Sequence, residues 1–297
     1  MRISIVIATL NAGEHLARCL DSCVEQTWRD KEIIVIDGGS CDGTVDTIRR
    51  YRQHIAYWTS EPDRGIFDAW NKALEHVTGT WVLFRGADDL FWSRTALEAA
   101  AVSLAGAGPQ ELVCYATTVV IGEDGRLRRI LGEPWCHARR RFFQEMSIPH
   151  PSAFHRNSLF ARFGRFDTSY RVVGDYDLLL RVLRMPDVEA RFLPRVILTT
   201  MRDGGNSGKR VFRADMEAIV ARRRNSIPGF PGRLLRRLCM NACYSSLRCG
   251  LRLLLGRSVA GKLYAWRHCR AAGNLHRTVE ALFQSGQDAA TSGTLPC

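Results

Sequence analysis

The sequence of 297 residues has no long hydrophobic run, and no stretch approaches the roughly 18 to 20 apolar residues that a membrane-spanning helix needs. The apolar part of "MRISIVIATLNAG" at the start is too short for a signal peptide and continues into a strand-like pattern. We therefore expect a protein that does not span a membrane. The length suits one large domain, or a domain with an extension.

The ten cysteines lack the spacing of a zinc site. No CxxC motif occurs, and the closest pairs, Cys19 with Cys23 and Cys239 with Cys243, are four residues apart. Scattered thiols without a secretion signal are typical of a reducing compartment. The sequence also has no internal repeat, no Walker lysine loop and no GxGxxG motif, which weakens phosphoryl transfer and dinucleotide hydride transfer as functions.

Charge of either sign is balanced in most of the chain and unbalanced at its end. The formal net charge is +12, and from Gly205 onward 16 Lys and Arg stand against 4 Asp and Glu. Such a basic tail indicates an anionic partner, either nucleic acid or acidic lipid, unless it is simply a solvated charged face.

Apolar β-rich runs alternate with helical patterns through the first half. Strands are predicted at 3–8, 32–37, 55–61 and 80–86, and helices at 12–26, 42–54 and 66–77. This alternation predicts an α/β fold with a mostly parallel sheet flanked by helices.

The second half has a mixed pattern. We predict a hairpin over 112–131 that turns at 123–125, strands at 150–156 and 194–201, and a helix at 176–185. The Gly-rich stretch 201–208, where the charge balance changes, is the expected domain boundary. The remainder is predicted to form two or three basic helices, with a frayed end.

Polar residues follow each of the first four predicted strands. They are Thr9 and Asn11, Asp37, Asp63 and Arg64, and Asp88 and Asp89. Ligands bind beyond the carboxyl ends of the strands in open parallel sheets, so four such sets on one edge favour a binding site over four separate turns. Asp37 could cap a tight turn or accept a hydrogen bond from a base or ribose. Arg64 could lie at the surface or neutralise a phosphate.

The adjacent carboxylates of Asp88 and Asp89 need an explanation, since one aspartate is enough to cap a helix. Two neighbouring carboxylates repel unless a cation lies beside them. Magnesium usually takes one or two carboxylates together with substrate phosphates, which favours a divalent ion and a diphosphate here.

Two further acids and two histidines are candidates in the second half. Asp175 and Asp177 lie at a predicted helix start, where they serve either as cap and first-turn charge or as a general base. His150 and His155 fit packing positions better than metal or substrate contacts.

Several segments in order resemble glycosyltransferase family 2. "SIVIATLNAGEHLARCLDSCVEQTWRDKEIIVIDGGSCDGT" resembles its opening, and "SEPDRGIFDAWNKAL" and "HPSAFHRNSLFARFGRFDTSYRVVGDYDLLLR" are similar to the subgroup that builds bacterial surface polysaccharides, including colanic-acid-type enzymes. The resemblance covers about residues 1–205. It implies the GT-A fold, a Rossmann-like nucleotide-diphospho-sugar transferase architecture, with a nucleotide-binding half over about 1–110, an acceptor half over about 111–205, and a basic helical extension over 206–297.

The resemblance also implies roles for the nucleotide pocket and the metal. Asp37 would read the base, with Thr9 lining the same pocket, and Arg64 would approach the nucleotide phosphates. Asp89 would bind Mg²⁺ or Mn²⁺ directly, and Asp88 would face the ribose and metal-bound water.

The catalytic base implied by the resemblance is Asp175. The family often has Glu before this position, where Gly174 stands here. Asp177 therefore remains the alternative base.

The implied function is an inverting, metal-dependent glycosyltransferase that takes its sugar from a nucleotide-diphosphate donor. The implied acceptor is a lipid-linked glycan, and the enzyme would act peripherally at the cytoplasmic face of the cell membrane. The Leu- and Arg-rich segment 233–257 suits a helix that lies on anionic lipid.

Two alternatives of other classes compete with this function. A nucleotidyltransferase usually has a Gly-rich loop with Lys or Arg after the first strand, which "ATLNAGEHLARCL" lacks. A nucleic-acid-binding protein could use the basic tail, but the tail has neither zinc spacing nor an aromatic RNA-recognition motif, so no nucleic-acid partner is expected.

Overall fold

The computed structural model describes residues 1–122, 124–203 and 211–228, apart from the side chain of Glu14. Several predicted features lie outside this range: one residue of the hairpin turn, most of the boundary at 201–208, the second cysteine pair and the basic segment 233–257. The described residues form two compact units, of which one comprises Met1–Val120 and Ile130–Phe230. Of the other unit, Ile121–Arg129 and Pro231–Cys297, only the hairpin tip is described.

Four parallel strands form the first half of the sheet, in the order β3-β2-β1-β4. Their bounds are Ile3–Thr9 for β1, Lys31–Asp37 for β2, Tyr57–Ser60 for β3 and Trp81–Gly86 for β4. Ile5, Val6 and Ile7 are consecutive and fully buried, so both faces of β1 are covered. Continuous apolar runs are the expected pattern for such strands, and the predicted parallel α/β sheet is confirmed.

Helices connect these strands and cover the sheet. They are α1, Gly13–Val24, α2, Thr44–Arg50, and α3, Ile66–Ala73. The buried side chains of α1 recur three or four residues apart, as in Leu16, Cys19, Leu20 and Cys23. The predicted helix at 42–54 divides into α2 and a separate 3-10 turn at Arg52–His54.

The second half of the sheet contains antiparallel strands. Strand β8 lies between β4 and β6 and is antiparallel to both. The elements are β5 Leu90–Phe91, α4 Ala96–Leu104, β6 Glu111–Ile121, β7 Leu127–Leu131, α5 Trp135–Phe142, β8 Ala153–Arg156, α6 Ser158–Phe163, α7 Gly174–Leu183 and β9 Glu189–Arg202. The strand predicted from residue 150 begins only at Ala153, because His150–Ser152 form a 3-10 turn around Pro151, which has no N–H for a sheet.

Helix α8, Val211–Arg224, belongs to the same compact unit as the sheet. The amide Nδ2 of Asn225, just after α8, donates to the buried carboxylate of Asp177 in α7 at 2.9 Å. The Arg184 guanidinium in turn donates to the carbonyl of Asn225 at 2.9 Å. The compact unit therefore extends past the boundary predicted near residue 205. In the described part of the chain, no helix combines the length and apolar character needed to cross a membrane.

Candidate functional site

The carboxyl ends of the four parallel strands lie side by side at one edge of the sheet. In the strand register Thr9 is paired with Asp37, Asp37 with Ser60, and Ala8 with Gly86. The polar residues that follow β1, β2, β3 and β4 therefore belong to neighbouring loops. The parallel order predicts this arrangement, and the loops themselves decide which side chains are free to meet a ligand.

The loops after β1 and β2 are joined by hydrogen bonds that involve Asn11. Its backbone N–H donates to Ser40 Oγ at 2.7 Å, and its side-chain Oδ1 accepts the N–H of Cys41 at 3.1 Å. Asn11 has a positive φ of 49°, a conformation that asparagine tolerates better than most residues. Thr9 is buried, and its hydroxyl has no partner among the described residues. Asn11 thus ties the loops together, whereas the buried Thr9 hydroxyl has hydrogen-bonding capacity that the described residues do not use.

Asp37 is fully buried and holds the turn after β2 together. Its carboxylate accepts the N–H groups of Gly39 at 3.2 Å and Ser40 at 2.9 Å, together with the hydroxyls of Ser40 and Ser60. Both carboxylate oxygens are occupied by donors from the protein. The side chain has no exposed surface, so Asp37 supports the turn in this structure, and its direct contact with a base stays a prediction.

The carboxylate of Asp63 lies over Gly38, next to Asp37. A Cβ atom on residue 38 would be only 2.6 Å from Asp63 Oδ2, so any side chain there would displace this carboxylate. The other oxygen, Oδ1, accepts the N–H of Gly65 at 2.7 Å. Burial raises the pKa of Asp63 above the ordinary aspartate value. Asp63 therefore presents a partly buried carboxylate next to Asp37, whose own carboxylate is fully buried.

Arg64 is exposed and forms an ion pair with Asp68 of α3, with an Nη2–Oδ1 distance of 2.7 Å. In this arrangement its guanidinium contacts no other carboxylate of the candidate site. The carbonyl of Arg64 accepts a hydrogen bond from the guanidinium of Arg171. Arg171 thus links the loop after β3 to the segment before α7, and no motif or spacing in the sequence pointed to it.

The carboxylates of Asp88 and Asp89 converge beside Gly86 at the end of β4. Asp88 Oδ1 and Asp89 Oδ2 lie 2.9 and 3.3 Å from the point that a Cβ on Gly86 would occupy. Asp88 is exposed, whereas Asp89 is buried and accepts the N–H of Gly86 at 2.8 Å. Burial raises the pKa of Asp89 to about 6, the charge of Arg85 lowers it and that of Asp88 raises it.

Arg85 is a second residue that sequence reasoning missed. It is fully buried within β4, with its guanidinium 4.1 Å from the centre of the Phe91 ring and one hydrogen bond to Thr199 Oγ1 at 3.1 Å. The available signal was an arginine inside an apolar strand directly before two aspartates. The charge of this buried guanidinium lowers the pKa of Asp89 and so partly compensates its carboxylate.

Asp175 and Asp177 differ in their surroundings although both lie in the first turn of α7. Asp177 is buried and paired with Arg181 at 3.1 Å and with Asn225 at 2.9 Å. Asp175 accepts only the N–H of Tyr176, at 2.8 Å, among the hydrogen bonds of the described residues. Burial raises the pKa of Asp175 to about 6. Asp177 is therefore engaged in holding helices together, and Asp175 has a free carboxylate oxygen.

His150 and His155 pack in an aromatic cluster. His150 stacks on Trp70 with ring centres 5.0 Å apart, and His155 contacts Phe84 edge-on at 5.4 Å. Burial lowers the pKa of His150 to about 3 and places that of His155 well below its ordinary value. Burial therefore favours the neutral form of both rings. Among the described residues, no group of three or more His, Cys, Asp or Glu side chains gathers in a way that could hold a metal.

Comparisons with known proteins agree with this architecture. The sequence model of the family described as Glycosyl transferase family 2 matches residues 4–166. A PGL/p-HBAD biosynthesis glycosyltransferase of Mycobacterium bovis (strain BCG / Pasteur 1173P2) is 32% identical over 209 residues, 69% of this chain and 78% of the relative.

Two solved structures share the fold at low identity. S. aureus TarS 1-349 in complex with UDP-GlcNAc has a TM-score of 0.59 at 17% identity and covers 74% of this chain and 66% of that one. The mannosyltransferase PcManGT from Pyrobaculum calidifontis, in complex with GDP-Man and Mn²⁺, has a TM-score of 0.58 at 20% identity and covers 99% and 88%. These similarities confirm the predicted GT-A fold.

Asp37→Ala tests the role of Asp37 in the turn. The substitution leaves several buried donors without an acceptor, so we expect the free energy of unfolding to fall by about 2–4 kcal/mol in a urea titration. Asp46→Ala is the matched control, because Asp46 is an exposed aspartate with one surface ion pair to Arg49. Equal stability of the two variants would contradict the structural role.

Proposed function

The chain belongs to glycosyl transferase family 2, and we propose that it transfers a sugar with inversion from a nucleotide-diphosphate donor to a hydroxyl group of a glycan. The observation that carries this proposal is the meeting of four strand ends at one edge, where β4 brings the Asp88 and Asp89 carboxylates together beside Gly86. Ligands of open parallel sheets bind beyond such strand ends, and the two acids could hold a cation that neutralises the diphosphate of the donor.

The donor nucleotide is proposed to lie against the loops after β1, β2 and β3. Thr9 offers a buried hydroxyl without a partner in the described residues, and Asp63 offers a carboxylate with one free oxygen. Asp37 supports the pocket by fixing the turn that carries Gly38 and Gly39. The side chain of Arg64 is 71% exposed, so it can release its ion pair with Asp68 and bind a phosphate instead.

The acids at the end of β4 fit a divalent cation. Asp88 and Asp89 supply hard oxygen donors from one side. In Asp89, Oδ2 accepts the N–H of Gly86, which leaves Oδ1 for the cation. With two protein carboxylates, Mg²⁺ or Mn²⁺ would take its other ligands from water and the diphosphate, the usual pattern for magnesium. When bound, such an ion neutralises the charge that develops on the leaving diphosphate.

Asp175 is the proposed general base. The acceptor hydroxyl transfers its proton to the free carboxylate oxygen of Asp175 while its oxygen bonds to the anomeric carbon. The bond from that carbon to the diphosphate oxygen breaks, and the nucleoside diphosphate leaves from the opposite face. A single carboxylate is enough for this one displacement, and its raised pKa of about 6 suits proton uptake near neutral pH.

The acceptor is proposed to be a lipid-linked glycan at the cytoplasmic face of a bacterial membrane, in surface-polysaccharide assembly. The M. bovis relative is named as a biosynthesis enzyme, in keeping with a role in assembling a glycan. Helix α8 supports the membrane contact, because Phe212, Met216 and Val220 form an exposed apolar stripe at four-residue spacing. Arg213 and Arg223 are exposed on the same helix. Apolar and basic side chains together favour an anionic lipid surface.

Asp89→Asn tests the metal and the reaction together. We expect the wild-type protein to release UDP or GDP from a panel of UDP- and GDP-sugars only with Mn²⁺ or Mg²⁺, and the variant to lose this release. Mn²⁺ should also raise the melting temperature of the wild-type protein and leave that of Asp89→Asn unchanged. Asp187→Asn, at an exposed ion pair, is the control. Full metal-dependent release by Asp89→Asn would remove Asp89 from the metal site.

Asp175→Asn and Asp177→Asn separate the two candidate bases. Asp175→Asn should lower turnover by about 10²–10⁴-fold while nucleotide binding survives. Wild-type turnover should rise with pH through about 6, because Asp175 must lose its proton to act. Asp177→Asn should instead lower the urea midpoint and leave turnover per folded molecule near that of the wild type. The reverse pattern would assign the base to Asp177.

Phe212→Ser combined with Met216→Ser tests the membrane contact. Cosedimentation of the full chain with phosphatidylglycerol-containing vesicles should fall by at least about tenfold in the double variant. Val102→Ser on α4 is the matched control, since Val102 is 69% exposed on another helix. Unchanged binding of the double variant would exclude α8 as the contact with lipid.

A further inference from the structure

Glu217 of helix α8 binds the backbone immediately before α7. Its carboxylate accepts the N–H groups of three consecutive residues, Arg171 at 3.1 and 3.2 Å, Val172 at 2.9 Å and Val173 at 3.2 Å. Val173 is the N-cap residue of α7 and provides no side-chain cap of its own. A carboxylate from a different helix therefore fixes the entry to α7, where backbone N–H groups and the helix dipole favour negative charge.

The residue that follows this segment leaves no room for a side chain. A Cβ atom on Gly174 would lie 2.8 Å from two carbons of the Phe67 ring. The start of α7 is thus pressed against α3 on one side and held by Glu217 on the other. Asp175 is the next residue, so its position depends on both contacts.

The charge of Glu217 also acts on Asp175. Burial is the main cause of the raised pKa of Asp175, and the Glu217 carboxylate raises it further. Several charged groups near the start of α7 have partners other than Asp175: Asp177 with Arg181, Arg162 with Asp187, Arg171 with the carbonyl of Arg64, Arg64 with Asp68, and Asp167 with Arg224. On α8, Asp215 and Arg222 are buried, and Arg213 and Arg223 are exposed.

We propose that Glu217 is a positioning residue for sugar transfer, which holds residues 171–173 and so fixes the place of Asp175 against the reacting hydroxyl. The proposal rests on the proposed role of Asp175 as base. Helix α8, which lies outside the residues 4–166 that the family model matches, would then help to position the base. Glu217 touches the backbone alone and makes no contact with substrate in this role.

Glu217→Gln tests the proposal, because it keeps the length of the side chain and one acceptor oxygen while removing the charge. Turnover, measured as UDP or GDP release from the donor panel with a membrane lipid extract as acceptor source, should fall about ten- to a hundredfold. The donor KM should stay near that of the wild type. The acid limb of the pH profile should move to lower pH, because loss of a neighbouring negative charge lowers the pKa of Asp175. Glu25→Gln, at an exposed and loosely paired glutamate, is the control.

Glu217→Asp provides the second variant. It retains the charge on a shorter side chain, so we expect an acid limb like that of the wild type and a reduced turnover. Wild-type turnover in Glu217→Asp, or an unmoved acid limb in Glu217→Gln, would overturn the proposal and leave Glu217 a purely structural cap. The turnover of Glu217→Asp tests the proposal even if Glu217→Gln does not fold.

A ¹³C NMR titration of the Asp175 carboxyl carbon, assigned with Asp175→Asn, separates this proposal from the proposed function. Absence of nucleoside diphosphate release by the wild-type protein with any donor would refute the function. A lower titration midpoint for Asp175 in Glu217→Gln, with changed amide chemical shifts at residues 171–173, would still support the action of Glu217 on Asp175. An unchanged titration midpoint for Asp175 would refute the action of Glu217 on Asp175, even if the wild-type enzyme is active.

Discussion

The structure around the carboxyl ends of the strands depends on how its buried acidic side chains are compensated. A buried carboxylate is costly unless donors or opposite charges compensate it. Asp37 has donors on both oxygens, and Asp177 has Arg181 and Asn225. Asp89 and Asp175 each have a single backbone donor, and both have a pKa raised to about 6. Complete compensation marks the acids that maintain the fold, and incomplete compensation marks those with capacity left for a ligand or a proton.

The strands and their polar ends could be predicted from the sequence because both follow from local pattern. A run such as "ISIVIA" has few alternatives to a buried strand, and parallel order brings the strand ends together. The sequence does not show that Asp37 has donors on both carboxylate oxygens, whereas Asp63 accepts one backbone N–H. That distinction depends on Ser60 and on the space over Gly38, both of which come from tertiary packing.

The end of the compact unit and the residues Arg171 and Glu217 could not be predicted for a related reason. The change in charge near residue 205 reports composition, whereas α8 is held by its apolar and hydrogen-bonded side against α7. Arg171 and Glu217 act through backbone groups of distant segments, and such contacts leave no periodicity or motif. The solved neighbours share the fold at 17–20% identity.

Arg85 has a consequence for how this sequence can change over evolutionary time. Its side chain is fully buried in the sheet, and the carboxylate of Asp89 supplies part of the negative charge that makes such burial tolerable. A lineage that lost Asp89 would retain a buried cation in its sheet without this neighbouring negative charge. Residue 85 and Asp89 are therefore expected to change together, and a sequence that replaces Asp89 by an apolar residue should also replace the arginine.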